Sequence, residues 1–233
     1  MKIITFLLIA LFSSAVLYGQ DSGIEIIQLP SPDLKSNISI EEVLSKRRSV
    51  RHYEDSPLSV EDISQLLWAA YGVTKSYESP AFLRGGLKTA PSAGALYPLE
   101  LYLIAWNNDQ LKNGIYKYIS EVHSLKLVMS GDKRDELSTA AWDQTWLKDA
   151  AGAIVYSAVF SRTSDKYGTR GEERYVCMDL GHSAQNVYLQ GVALGIGTCA
   201  IGAFNDNKLK ELINMPEDET PLYIMPIGKM KTK

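Results

Sequence analysis

The chain has 233 residues, 45% of them hydrophobic and 22% charged, with a formal net charge of -3. That composition suits one globular domain with a sizeable core; it has neither the basic excess of a nucleic-acid binder nor the cysteine density of a disulfide scaffold. The two cysteines, Cys177 and Cys199, sit in apolar segments and read as buried free thiols, while His52, His123 and His182 fit no metal-ligand spacing.

Met1-Lys2, the apolar run Ile3–Val16 and a polar turn at Tyr18–Asp21 together have the form of a secretory signal over residues 1–20. Export to a periplasm or to the medium is expected, without stable membrane insertion once the signal is removed; an uncleaved anchor is the alternative. Residues 21–38, polar and carrying Pro30 and Pro32, read as a flexible leader to a single domain over residues 39–233. Ser39 with Glu42 predicts one helix start, and Ser59 with Asp62 a second helix whose Ile63, Leu66, Leu67 and Ala70 share a face before Gly72 stops it.

Residues 73–88 read as an irregular, glycine-rich mobile loop that could act as a lid. Next comes TAPSAGALYPLELYLIAW, residues 89–106: a loop of small residues backed by a short apolar run suited to a buried strand. Gly114–Ile119 and Ser124–Val128 suggest a hairpin, residues 132–142 a helix with Trp142 and Trp146 in or near the core, and Ala151–Phe160 another buried strand. Ser161–Gly171 is polar and expected to be exposed. Glu172–Leu194 is the longest helix candidate, apolar on nearly every face and therefore expected to be buried on all sides, inside the core or in a subunit interface. Strands at residues 198–201 and 221–227 flank a short helix, Asn205–Met215. The class is α+β, with a central mixed or antiparallel sheet flanked by helices and a long buried central helix.

Arg47, Arg48, Ser49 and Arg51 put three guanidiniums and a hydroxyl together at a helix end, a donor set suited to phosphate. A solvated charged face is the commoner origin of such a cluster. The small loop Pro91–Gly94 and the segment Gly195–Phe204 both suit a planar object lying against the backbone.

The order of these segments, Arg-Arg-Ser-Val-Arg, Ala-Pro-Ser-Ala-Gly-Ala-Leu-Tyr-Pro-Leu-Glu, a long helix into Leu-Gly-Ile-Gly-Thr, then Pro-Ile-Gly, resembles the nitroreductase family of flavoenzymes over roughly Ser39 to Lys229. The Tyr-Pro-Leu-Glu form is similar to the branch containing the azoline-oxidising dehydrogenases of peptide-toxin maturation. The resemblance implies a nitroreductase-like fold, an FMN cofactor, a homodimer with the flavin at the subunit interface and a ping-pong cycle on a small-molecule substrate. It further implies that Arg47, Arg48, Ser49 and Arg51 hold the FMN phosphate and ring edge, and that Pro91, Ser92, Ala93 and Gly94 lie along the flavin, usually that of the other subunit. Ala200, Ile201, Gly202 and Ala203 match the segment whose backbone amide faces flavin N5, although many relatives carry Glu where this chain has Gly202. Lys229, or Lys231 beyond it, matches a basic residue on the phosphate.

Tyr97 is the one side chain that could line the substrate side, though packing is the more ordinary role of a tyrosine there. No Ser-His-Asp set, carboxylate pair or nucleophilic cysteine stands out, as fits chemistry carried by a cofactor. A flavin-holding protein without turnover, and a general anion-binding surface protein, are the competing classes.

Overall fold

The computed structural model describes residues 18–21 and 24–231, so most of the expected signal segment lies outside the described residues. Strands β1 (Tyr18–Asp21) and β2 (Ile24–Gln28) open the chain. The expected leader is thus not free. β2 pairs with a later strand, and Ile27 and Leu29 are buried in the core, because an apolar residue at alternate positions lets even a short polar stretch close a sheet edge.

Ser39 caps α1 (Ile40–Lys46) by accepting from the Glu42 amide, and Ser59 caps α2 (Val60–Tyr71) in a full capping box with Asp62. Residues 73–88 form a hairpin, not an irregular loop: β3 (Val73–Ser76) pairs with β4 (Gly86–Lys88). Gly86, at φ +145°, faces Lys75 so closely that no side chain would fit between the two strands.

The sheet is completed by β5 (Leu99–Ala105), β6 (Gly114–Ile119), β7 (Ser124–Ser130), β8 (Gly152–Val159), β9 (Ile196–Thr198) and β10 (Glu219–Lys229). Its order is β1-β2-β7-β6-β5-β8-β10-β9, with antiparallel neighbours throughout. α3 (Arg134–Ala140), α4 (Ser161–Tyr167), α5 (Val176–Leu194) and α6 (Asp206–Ile213) complete the helices. The polar stretch expected to be exposed folds in part as α4 and is exposed over most of its length, with Thr163 buried.

Apart from Glu100, β5 reads as an apolar run because both faces of the sheet are covered. Leu99, Leu101 and Leu103 pack on the side of α2 and α5, with Leu66, Leu67, Leu180 and Val187. Tyr102 and Ile104 point the other way, against Leu137, Leu209 and Ile213 of α3 and α6. Trp142, expected near this second core, is 62% exposed instead, at a positive φ just past the end of α3. Trp146 does pack against it.

A π-helical turn, Gly171–Tyr175, leads into α5. Within one chain α5 buries only one side, through Val176, Asp179, Leu180, Ser183, Ala184, Val187 and Gly191. Cys177, Met178, Gly181 and His182 are exposed, so the chain's own core does not cover the helix all round, which leaves the subunit interface as the alternative, and the Cys177 thiol is not buried in the chain; Cys199 is buried, and both thiols are free. Small and hydroxyl side chains let α5 lie close to α2, and Ser183 Oγ donates to the Ala70 carbonyl at 2.7 Å. Among the described residues no helix is long and apolar enough to cross a membrane.

Leu67 is fully buried at the α2–sheet contact. Leu67→Ala should cost about 2–5 kcal/mol of stability, measured as a lowered urea midpoint with an unchanged slope.

Candidate functional site

α1 ends at Lys46, and the chain runs on extended beside β9. Val50 N donates to Thr198 O at 2.9 Å, and Ser49 bridges Thr198. Gly197 makes this approach possible, since a Cβ there would lie 2.6 Å from Val50 Cγ1. The Arg47 guanidinium lies 5.3 Å above the Tyr188 ring, and that of Arg51 5.7 Å above Trp146. Arg48 donates to the Ser45 and Arg47 carbonyls. Among the described residues, none of the three guanidiniums is ion-paired to a carboxylate. Three adjacent cations without counter-ions form a positive surface ready for an anion.

Tyr188, on α5, joins this segment to the next one. Its hydroxyl lies 3.3 Å from Ser49 Oγ and accepts from Ala200 N at 2.7 Å. Sequence reading did not single out Tyr188, which lies inside the long helix candidate between Asn186 and Gln190 with nothing local to mark it. Beyond Ala200, Ile201 exchanges two backbone hydrogen bonds with Ile224 and is buried. Gly202 and Ala203 then emerge exposed, and among the described residues their amide N–H groups have no acceptor. A side chain at Gly202 would meet only the Tyr223 ring, at an ordinary 3.6 Å, so packing does not require glycine there.

The Pro91–Gly94 loop lies elsewhere. Ser92 Oγ donates to Asp179 Oδ2 at 2.5 Å and accepts from Tyr97 N at 2.9 Å, while Ala93 N donates to Asp179 Oδ1 at 3.2 Å. Asp179 is 3% exposed, and burial raises its carboxyl above the usual range against the pull of those two hydrogen bonds. The polar atoms of Ser92 and Ala93 are therefore spent inside the chain. Asp179 and Tyr188 are separated by roughly two and a half turns of α5, about 13 Å of rise. One chain thus brings Arg47–Arg51 together with Ala200–Ala203 but anchors Pro91–Gly94 two and a half turns away, near the start of the helix.

Tyr97 is 3% exposed and packs edge-on to Tyr71, with ring centroids 5.9 Å apart. Its hydroxyl accepts from Lys88 N at 3.2 Å, so it supports the loop from beneath and faces no open space. Lys229 is engaged too, its ammonium 2.7 Å from Asp62 Oδ2 at the start of α2. Lys231 is exposed.

Sequence reading also missed a buried charge cluster under the loop. Glu100 meets Arg162 at 2.6 Å, Arg84 at 2.8 Å and Lys117 at 3.3 Å. Glu219 meets Lys117 at 2.6 Å and accepts from Tyr102 and Ser157. Burial alone would raise the Glu100 carboxyl; Arg84, Lys117 and Arg162 outweigh it and hold it below the usual range. Lys88, buried beside this cluster, donates to Ser120 Oγ at 2.6 Å, and burial brings its ammonium down to about 8.

Two outcomes follow. Tyr188→Phe leaves the Ala200 amide without its partner, a loss of roughly 1–3 kcal/mol in chemical denaturation. From about pH 8 up to the unfolded-lysine value of roughly 10.4, the unfolded chain holds a proton on Lys88 that the folded chain has released, so stability rises with pH across that window. Lys88→Met should remove that rise when denaturant midpoints are compared pH by pH.

The model of the nitroreductase family matches residues 44–229. A Methanocaldococcus jannaschii protein named as a nitroreductase is 42% identical over 205 residues, covering 88% of this chain and 98% of its own. The microcin B17-processing protein McbC of Escherichia coli is 25% identical over 213 residues, 88% of this chain and 75% of its own. A crystal structure from Ralstonia eutropha JMP134, also described as a nitroreductase, superposes with a TM-score of 0.76 at 27% identity over 95% of this chain and 97% of that one. The chain belongs to the nitroreductase family, whose members are in general flavin-dependent oxidoreductases.

Proposed function

We propose that the protein is an FMN-dependent oxidoreductase that moves an electron pair between a donor and a small-molecule acceptor in a ping-pong cycle. The observation that carries this reading is the pairing of unneutralised cations with free amides. Arg47, Ser49 and Arg51 offer phosphate donors, and on the segment tied to them by Tyr188 the N–H groups of Gly202 and Ala203 stand exposed without acceptors. Such a set fits a ligand with a phosphate at one end and ring nitrogens at the other.

In this reading FMN, when bound, supplies the redox chemistry at N5. Arg47, Arg48, Ser49 and Arg51 would hold its phosphate and ring edge, and in the Ala200–Ala203 segment the amides of Gly202 and Ala203 would donate at the ring. Pro91–Gly94, held rigid by Asp179 and with Ser92 and Ala93 already bonded inward, contributes a flat wall. Lys229, tied to Asp62, reaches the phosphate only by giving up that ion pair.

The two halves are anchored two and a half turns apart on α5, which supports a homodimer in which each chain lends its loop to the other's flavin. The exposed side of α5, with Met178 50% exposed, is the natural surface for that pairing. Similarity to McbC supports kinship with peptide-modifying relatives. The higher identity to the M. jannaschii protein favours a small-molecule acceptor over a peptide. The signal pattern of residues 1–20 supports an exported location.

The purified protein should be yellow, bleach under a reductant and regain its colour when an acceptor is added. Bleaching that no acceptor reverses would mark a flavin-holding protein without turnover. Replacing Arg47 and Arg51 by Ala should weaken FMN binding on the order of tenfold or more for each lost charge-assisted contact, with an unchanged far-ultraviolet circular dichroism spectrum. Unaltered FMN affinity would refute the phosphate assignment.

A further inference from the structure

The outer edge of the Pro91–Gly94 loop is not bare. Gly94 takes φ +63°, and a Cβ there would lie 2.7 Å from Tyr167 Oη and 3.1 Å from Lys166 Nζ, so the end of α4 covers the loop on the side that Asp179 does not hold. Tyr167 meets Tyr175 edge to face, with ring centroids 5.1 Å apart. Lys166 Nζ stands 5.2 Å over the Tyr167 ring, and Arg170 lies 6.0 Å over Tyr175 while donating to its hydroxyl at 3.0 Å.

Lys166 and Arg170 are exposed, both rings are partly so, and among the described residues neither cation is ion-paired to a carboxylate. Arg162, one turn earlier on α4, shows the contrast: it is consumed by Glu100 at 2.6 Å. A solvated lysine and arginine have no need of two half-exposed tyrosines stacked at right angles. Aromatic edges flanked by cations without counter-ions do suit a flat ring bearing a negative charge.

We propose that Lys166, Tyr167, Arg170 and Tyr175 form the acceptor side of the site and select aromatic substrates that carry an anionic group, such as a carboxylate or sulfonate. The proposal rests on the flavin reading, since it takes the loop under Gly94 as a wall of the flavin pocket. It adds what that reading lacks, the class of acceptor.

The test compares 4-nitrobenzoate with its neutral isostere 4-nitrobenzamide by calorimetric titration of the FMN-loaded and the FMN-free protein. The wild type should favour the benzoate. In the double variant Lys166→Ala/Arg170→Ala the ratio of the two affinities should fall about tenfold, the scale of one lost charge-assisted hydrogen bond, and Lys166→Arg/Arg170→Lys should retain most of it. Equal binding of the two compounds by the wild type overturns the proposal, as does a preference that survives the double Ala variant. A change in sedimentation with the preference intact overturns it as well, by showing the patch to be a contact between subunits. Failure of the wild type to take up FMN is read separately, from its colourless spectrum, and counts against the flavin reading itself. In that case the comparison of FMN-free wild type with the FMN-free double Ala variant decides: a benzoate preference lost with Lys166 and Arg170 belongs to the patch, and one that survives overturns the proposal.

Discussion

Helix α5 is fixed by a close contact with α2 and by the apolar face of β5 and β8, and both parts of the site hang from it. Ser183 bonds to the Ala70 carbonyl and to Tyr156 Oη, so the middle of the helix is bonded to a neighbouring helix and to the sheet at once. From that anchored middle, Asp179 reaches one way to hold the small-residue loop and Tyr188 reaches the other way to hold the arginine segment and Ala200. The distance between the two half-sites is thus set by helical rise, the stiffest ruler a chain of this size has.

The charge cluster around Glu100 and Glu219 plays a comparable part beneath the loop. Lys117 joins the two carboxylates across β6, β5 and β10, and Arg84 and Arg162 bring the β3–β4 hairpin and α4 to the same point. Buried ions of this kind add little net stability compared with apolar packing, yet removing one partner strands the others. The effect is to fix register: the hairpin, the loop and α4 cannot shift independently while Glu100 is shared among them.

How much of this the sequence disclosed depended on where the information resides. The caps at Ser39 and Ser59, the apolar face of α2 and the alternating β6–β7 hairpin were legible because they are local, set by side chains three or four residues apart. The arginine segment and the Ala200–Ala203 segment were legible through the family resemblance, and the structure brings both to β9. Tyr188 was not, nor was Asp179, because their partners lie 12 and 86–87 residues away and nothing in the helix marks them. Glu100 was read as part of a motif, without the three cations that explain it. The segment before α1 was misread because a strand needs only a few buried residues when the sheet supplies its hydrogen bonds. Trp142 was misread because hydrophobicity does not tell where a helix ends and the chain turns outward.

The Tyr188 hydroxyl carries one more consequence, a division of hydrogen-bonding roles. Its oxygen accepts from the Ala200 amide and lies 3.3 Å from Ser49 Oγ, a contact in which either hydroxyl can donate. The Ser49 hydroxyl can therefore turn either a hydrogen or a lone pair outward, beside Arg47 and Arg51, whose guanidiniums present only donors. The edge thus offers a ligand one adaptable hydroxyl among fixed donors, and its orientation is coupled through Tyr188 to a backbone amide of a different segment.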